Sequence, residues 1–366
     1  MFVGITNTPR NYAWGSDGAI SALLGFEASG APEAELWLGA HPGSPSRVVG
    51  SNDTLLDVVD GRLPFLLKVL AAGSPLSLQA HPTMAQAAEG FARENALGIP
   101  LDAPNRNYRD AFHKPELIYA LSDEFDALCG FRSAADIRGM LAAVAPEAAA
   151  PLLERLTGDE SLRGVFEWLI TRGEGVDELV AAVSGLAVSG LGVHSTPELA
   201  TVSLLAENFP GDPGIVISLM LNRVTLKAGE ALYLPAGNIH AYLSGLGIEL
   251  MASSDNVLRG GLTPKHIDVP ELLSVLDFRP LPVPYLMPQS PAAGVTVFRP
   301  VDADFALLVI EVDAVLPLDG PAIALCLDGE FTLGGASTLH RGGAVYISDE
   351  SSLDVRGAGS LVIATS

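Results

Sequence analysis

The sequence predicts a mainly β protein with a helical block set inside it. Three observations carry this. Residues 1–120 are short apolar stretches broken by Gly, Pro, Asn and Asp, the punctuation of strands joined by long loops. From about residue 133 to 208 the chain becomes Ala/Leu-rich with helical spacing. From about 215 the strand pattern returns and continues to the end. The expected division is 1–125 plus 210–285 as one β domain, 126–209 as a helical insertion and 286–366 as a second β domain.

Each element has a local reason. Inside the first block one helix is clear, TMAQAAEGFARENALG. Thr83 and Gln86 have capping-box spacing, and Gly98 then Pro100 stop the helix. The helical block contains AADIRGMLAAVAPEAAAPLLERL, LRGVFEWLITRG and TPELATVSLLAENF. In the last of these Thr196 is an N-cap with Pro197 at the first helical position. The segment IVISLMLNRVTLKAGEALYLPAGNIHAYL then reads as strands. Gly229 allows a tight turn, Leu232 and Leu234 alternate with Tyr233, and Pro235 with Gly237 turns the chain again. His240 is thereby delivered onto a new strand, facing the same way as Tyr242. A strand–turn–strand that aims a histidine into a barrel interior is the pattern of a cupin, a jelly-roll barrel. The last stretch, 291–366, has short strands and the turns LDGE, LGG, RGG and RGAG, which fit a sandwich or small barrel.

Composition excludes several functions. The chain has 366 residues and a net charge of −22, from 21 basic and 43 acidic residues. It should repel nucleic acid and acidic membrane surfaces, so any anionic substrate must be held by a local positive cluster. Cys129 and Cys326 are the two cysteines, too few for a disulfide framework or a thiolate metal site, and a reducing cytosol fits. The N-terminus lacks a basic start followed by an apolar run. PFLLKVLAAG is interrupted by Lys68, and LLVIEVDAVLPL by Glu311 and Asp313, so neither reads as a membrane span. A soluble, cytoplasmic, monomeric protein is expected.

Four residues stand out as a metal site: Gln79, His81, Glu116 and His240. They occur in SPLSLQAHP (74–82), HKPELIYAL (113–121) and YLPAGNIH (233–240), each with a strand-like pattern. Residues i and i+2 of a strand share a face, so Gln79 and His81 project together. Two imidazoles, one carboxylate and one amide oxygen can hold a zinc ion and leave a position open for substrate. The other histidines read more simply. His194, His266 and His340 are expected at the surface or hydrogen-bonded, and His41 in GAHPG is expected as a loop residue. Trp14, Trp37 and Phe65 are expected in the core.

With these residues in view, the chain resembles the type I phosphomannose isomerases. The resemblance runs through YAWGS (12–16), ELWLGAHP (35–42), PFLLKVLAAGSPLSLQAHP (64–82), HKPELIYAL (113–121), LPAGNIHAYL (234–243) and IELMASSDNVLRGGLTPKHID (248–268). It implies a zinc-dependent aldose–ketose isomerase, with one zinc per chain, interconverting mannose 6-phosphate and fructose 6-phosphate. It implies that Gln79, His81, Glu116 and His240 bind the metal and that Arg259 is the catalytic arginine. The implied fold is a metal-bearing cupin with a helical insertion, followed by a second cupin.

The chemistry can be argued alongside. Moving a proton between C1 and C2 through an enediol needs a base, a stabiliser for charge on two oxygens and a grip on the phosphate. Arg259 is always protonated and suits the second task or the third. For the base, Asp255 ranks first, then Lys114, then Glu249; His113 is a further candidate. The chain has four lysines, Lys68, Lys114, Lys227 and Lys265, three of them within the quoted blocks. Lys114 shares a strand face with Glu116 and should lie near the metal. Lys265, Lys68, Ser77 and His113 are expected to contact substrate or its phosphate. Plainer roles exist for two of these residues: an Arg259–Asp255 ion pair, and a Lys68 that reaches from the barrel to solvent. Two other functions are open, an oxygenase-type metal cupin and a non-catalytic cupin that binds sugar phosphate. The amide ligand Gln79 argues against redox-active iron. Intact Arg259, Lys114 and the four ligands argue against loss of activity.

Overall fold

Strand Phe65–Ala72 shows how the molecule is layered. It comes from a computed structural model that describes residues 1–188 and 196–366; His194 lies outside the described residues. All eight of the strand's residues are buried. Phe65, Leu67, Val69 and Ala71 pack into a core shared by two large antiparallel sheets. On the other face Leu66 packs with Trp37 and Met251, and Leu70 and Ala72 with Tyr242 and Leu234. A strand covered on both faces reads as an unbroken apolar run. Lys68 interrupts that run on the inward face.

The partner of this strand is the organising element of the first sheet. His240–Ala252 has 13 residues and changes neighbours along its length. At its start His240 lies opposite Gln79 and Cys129. Further on, Gly245–Ala252 pairs with Phe65–Ala72, and Gly247–Met251 with Glu116–Ala120. The change falls at Gly245, where φ is +125° and a Cβ would lie 2.9 Å from the Phe125 Cα. The register slips between Tyr242 and Ser244, as a bulge requires.

The helical block packs behind this strand. Helices Ala134–Val144, Leu162–Ile170, Val176–Val188 and Pro197–Asn208 share a core with Leu78, Ala80, Ile239 and Ala241. Those four alternate with Gln79 and His240, so the polar pair is turned to the opposite face, into the sheet interior. The expected caps are present. The Thr196 hydroxyl accepts from the Leu199 amide, and Thr83 and Gln86 form the reciprocal box of helix Met84–Ala96. Strand Phe125–Phe131 enters the helical excursion and strand Leu221–Leu226 leaves it, and the two pair with each other. The strand pattern thus runs through Phe131, and the last helix of the block, Gly214–Ser218, ends past residue 209.

The second sheet is built on the long pair Ala322–Leu333 and Ser352–Thr365. Its own interior is apolar: Ala324, Cys326, Phe331, Leu353, Leu361 and Ile363 are all fully buried. The first strand of the chain, Phe2–Thr6, belongs here and not beside the metal residues. It pairs with Ala344–Ile347 on one side and Arg47–Val48 on the other, covering an edge that would otherwise be open. Among the described residues no helix is long and apolar enough to cross a membrane.

Candidate metal centre

Three of the four expected ligands converge. Ligand atoms of His81, Glu116 and His240 all lie within 4.8 Å of one another, and each residue is 1% exposed. His81 Nε2 is 3.2 Å from Glu116 Oε1, and His240 Nε2 is 3.3 Å from Glu116 Oε2. Gln79, half-buried, is the direct cross-strand partner of both His240 and Arg259, so the three share one face.

The hydrogen bonds behind the rings set their tautomers. His81 Nδ1 lies 2.8 Å from the Asn256 carbonyl and His240 Nδ1 3.0 Å from the Asn238 carbonyl. A carbonyl can only accept, so each Nδ1 carries the proton and each Nε2 is left with a lone pair in the neutral ring. Burial, assisted by Lys114, pushes His81 down to about 4 against the opposing pull of Glu116. That ring is therefore neutral at pH 7, and its lone pair faces a carboxylate oxygen, acceptor against acceptor. His81 Nε2, His240 Nε2 and Glu116 Oε2 find no hydrogen-bond partner. A buried polar group left so costs about 1–3 kcal/mol. A cation between them removes the conflict, and two imidazoles with one carboxylate suit zinc.

A charged second ring surrounds this cluster. Lys114 Nζ donates to Glu116 Oε1 at 2.5 Å. Burial works to raise the Glu116 carboxyl, but Lys114, His81 and His240 hold it well below its ordinary value. Lys68 donates to Glu249 at 2.8 Å and to Glu35 at 3.2 Å, 5.0 Å from the centre of the Trp37 ring, whose Nε1 donates to Glu35. Burial alone would lower the Lys68 ammonium, yet the carboxylates raise it above its ordinary value. Glu249, 3% exposed, is raised by burial in spite of Lys68. The Lys68 head group thus ends on two buried carboxylates and does not reach solvent. The Tyr242 hydroxyl is buried without a hydrogen-bond partner, and burial with Glu249 and Glu116 pushes it well up.

The remaining expected residues are less deeply buried. Arg259 donates to the Ser77 hydroxyl at 3.2 Å, and among the described residues it has no carboxylate within ion-pair distance. Burial and then Arg109 lower its guanidinium. Exposed Lys265 is lowered first by Arg259, then by burial and Arg109. Arg259, which touches Ser77, thus has Lys265 and Arg109 as its cationic neighbours. Half-buried His113 is lowered by burial, with Asp304 and Arg62 as its charged neighbours. Asp255 lies 3.3 Å from His41 Nε2. It makes no ion pair with Arg259.

Two further residues, Arg109 and Asn256, lie next to or inside the blocks quoted above, where no spacing or reactive group marks them. Asn256 is fully buried. Its side chain accepts from the Arg109 amide at 2.7 Å and donates to the carbonyls of Asp110 and Phe112 at 2.9 and 2.8 Å. Its own carbonyl holds His81, so one residue ties a ligand to the loop that carries Arg109, His113 and Lys114. Glu94 fixes the same loop from below, accepting the amides of Asn107 and Tyr108 and pairing with buried Arg106 at 2.9 Å.

Known proteins share this arrangement of sequence and fold. The family description "Phosphomannose isomerase type I, catalytic domain" matches residues 2–134. The mannose-6-phosphate isomerase of Escherichia coli K12 is 39% identical, covering 98% of this chain and 97% of that protein. The human mannose-6-phosphate isomerase is 33% identical, covering 95% and 93%. A crystal structure of mannose 6-phosphate isomerase bound with zinc and yttrium superimposes with a TM-score of 0.89 at 37% identity, covering 100% of this chain and 99% of that one. A zinc-bound holo structure gives 0.89 at 36% identity, with the same coverage.

Proposed function

The chain belongs to the type I phosphomannose isomerase family, and from that premise we propose how its own residues carry the reaction. The protein is a zinc-dependent isomerase that interconverts D-mannose 6-phosphate and D-fructose 6-phosphate by proton transfer between C1 and C2 through an enediol. The observation that carries this is the buried trio His81, Glu116 and His240, whose unpartnered acceptors face one another.

His81, Glu116 and His240 hold the ion, with Gln79 as the fourth ligand from the facing position on the neighbouring strand. Zinc, when bound, supplies Lewis acidity toward the oxygens on the two reacting carbons. Asp255 takes the proton from one carbon and returns it to the other, with Lys114 and Glu249 the next candidates for that role. A carboxylate held ionised below its ordinary value is ready to accept at neutral pH; burial raises Asp255, but His41, Lys114 and Arg109 outweigh it. Arg259 stabilises the negative charge that develops on the substrate oxygens. Lys265, Arg109 and Ser77 hold the phosphate, and His113 completes that rim. A dianion among three mutually repelling cations relieves their repulsion, which is the local positive patch an acidic protein needs. Lys68 keeps Glu35 and Glu249 paired beneath the sugar. We read the two sheets as two cupin barrels with the helical block as an insertion in the first. We read the working form as a cytoplasmic monomer, supported by the acidic surface and the free thiols of Cys129 and Cys326.

The test is turnover of mannose 6-phosphate in a coupled assay. Chelation should abolish it and added zinc should restore it. Undiminished turnover after verified removal of metal would contradict the proposal, and full occupancy by iron with oxygen uptake would favour an oxygenase.

A further inference from the structure

His41 looks unremarkable in GAHPG, yet the loop that carries it buries it to 6% exposure. Its Nδ1 accepts the Gly43 amide at 3.1 Å. An amide N–H can only donate, so the ring proton sits on Nε2, the opposite tautomer from His81 and His240. That Nε2 is 3.3 Å from Asp255 Oδ1. The ring is held edge-on against Trp37, with centroids 4.9 Å apart at 90°. Gly43 lets the backbone come this close: a Cβ there would lie 3.2 Å from His41 Nδ1 and 3.6 Å from Trp37. Arg10 fastens the loop from outside, donating to the Gly43 carbonyl and lying over the Trp37 ring. On the other side the Asp255 amide donates to Asp110 Oδ2 at 2.9 Å.

We propose that His41 is a positioning residue for Asp255, its Nε2–H bond fixing the carboxylate in a single orientation as proton acceptor. The proposal rests on Asp255 being the base. The charged groups facing Asp255 are His41, Lys114 and Arg109, with Asp110 behind its backbone; His41 itself pairs with Asp255, and Arg10 and Lys68 lie over the Trp37 ring beside it. His41 is the largest of the influences that hold the Asp255 carboxyl below its ordinary value against burial. Removing it must therefore move the proton affinity of Asp255 upward, and the acid limb of the rate with it. A donor held in one tautomer by the Gly43 amide does this through a single bond.

The experiment compares pH profiles of kcat/KM for zinc-loaded wild type, His41→Phe, His41→Gln, Asp255→Asn and the double variant His41→Phe/Asp255→Asn. Gln retains an N–H at the place of Nε2. His41→Phe should move the acid limb up by about one pH unit, a roughly tenfold loss on that limb, with zinc content unchanged. His41→Gln should leave the limb in place, and His41→Phe should add nothing to Asp255→Asn. An unmoved limb in His41→Phe, or an equal loss on top of Asp255→Asn, overturns the proposal. Wild-type turnover in Asp255→Asn would instead sink the base assignment, and the role of His41 with it. The hydrogen bond is tested separately by the ¹⁵N shifts of the His41 ring in the holoenzyme, assigned by their loss in His41→Gln. Protonation at Nε2 is expected, and protonation at Nδ1 overturns the proposal even if His41→Phe fails to fold.

Discussion

Two long strands, His240–Ala252 and Ala322–Leu333, occupy corresponding central places in the two sheets and treat their interiors in opposite ways. The first turns His240, Tyr242 and Glu249 inward, where they meet His81, Glu116, Lys114 and Lys68. The second turns Ala324, Cys326, Phe331 and Leu333 inward among leucine, isoleucine and valine. Backbone pairing is alike in both, so sheet architecture alone does not make a site. A buried charge is tolerable only with a partner, and both buried lysines of this region have one: Lys68 with Glu249 and Glu35, Lys114 with Glu116. The exceptions are the imidazole nitrogens and the Glu116 oxygen gathered at one point, which is where a cation belongs.

The sharpest way to break this comparison is to give the first interior the chemistry of the second. Lys68→Met conserves much of the side-chain volume but leaves Glu35 and Glu249 buried without their cation. It should cost about 3–5 kcal/mol in denaturant unfolding. A loss under about 1 kcal/mol would mean that the carboxylates are content alone. The matching change in the second interior should be mild. Ile363→Val, at a fully buried site, should cost about 0.5–1.5 kcal/mol and leave turnover per folded molecule unchanged. A large loss of turnover there would show that the second sheet does more than support the first.

The two regions also differed in what their sequence disclosed. Local signals were legible: the Thr83 and Thr196 caps, the return of strands after the helices, and the Gln79-x-His81 pair whose spacing alone places two side chains on one face. Lys114 beside Glu116 followed from the same rule of two. Contacts that depend on chain folding over long separations were not legible. Nothing in FVGIT says that it will pair with AVYI, 342 residues away by the Phe2–Ala344 ends of those strands. Nothing in GAHPG says that His41 will meet Asp255, because its tautomer is set by a backbone amide and its partner by a distant loop. Lys68 could be read as reaching solvent because the sequence does not reveal that Glu35 and Glu249 flank it on the neighbouring strands. Asn256 was hidden for a similar reason, since its importance lies in a carbonyl and a buried amide rather than in a reactive group.

The central claim is that one cation is held by His81, Glu116 and His240 with room beside it for substrate. Elemental analysis of zinc per chain in wild type, Glu116→Ala and Arg259→Ala tests it most directly. The account predicts one zinc in wild type, loss of zinc together with turnover in Glu116→Ala, and one zinc with turnover reduced about 10²–10³-fold in Arg259→Ala. Full zinc retention in Glu116→Ala, or its loss in Arg259→Ala, would contradict it.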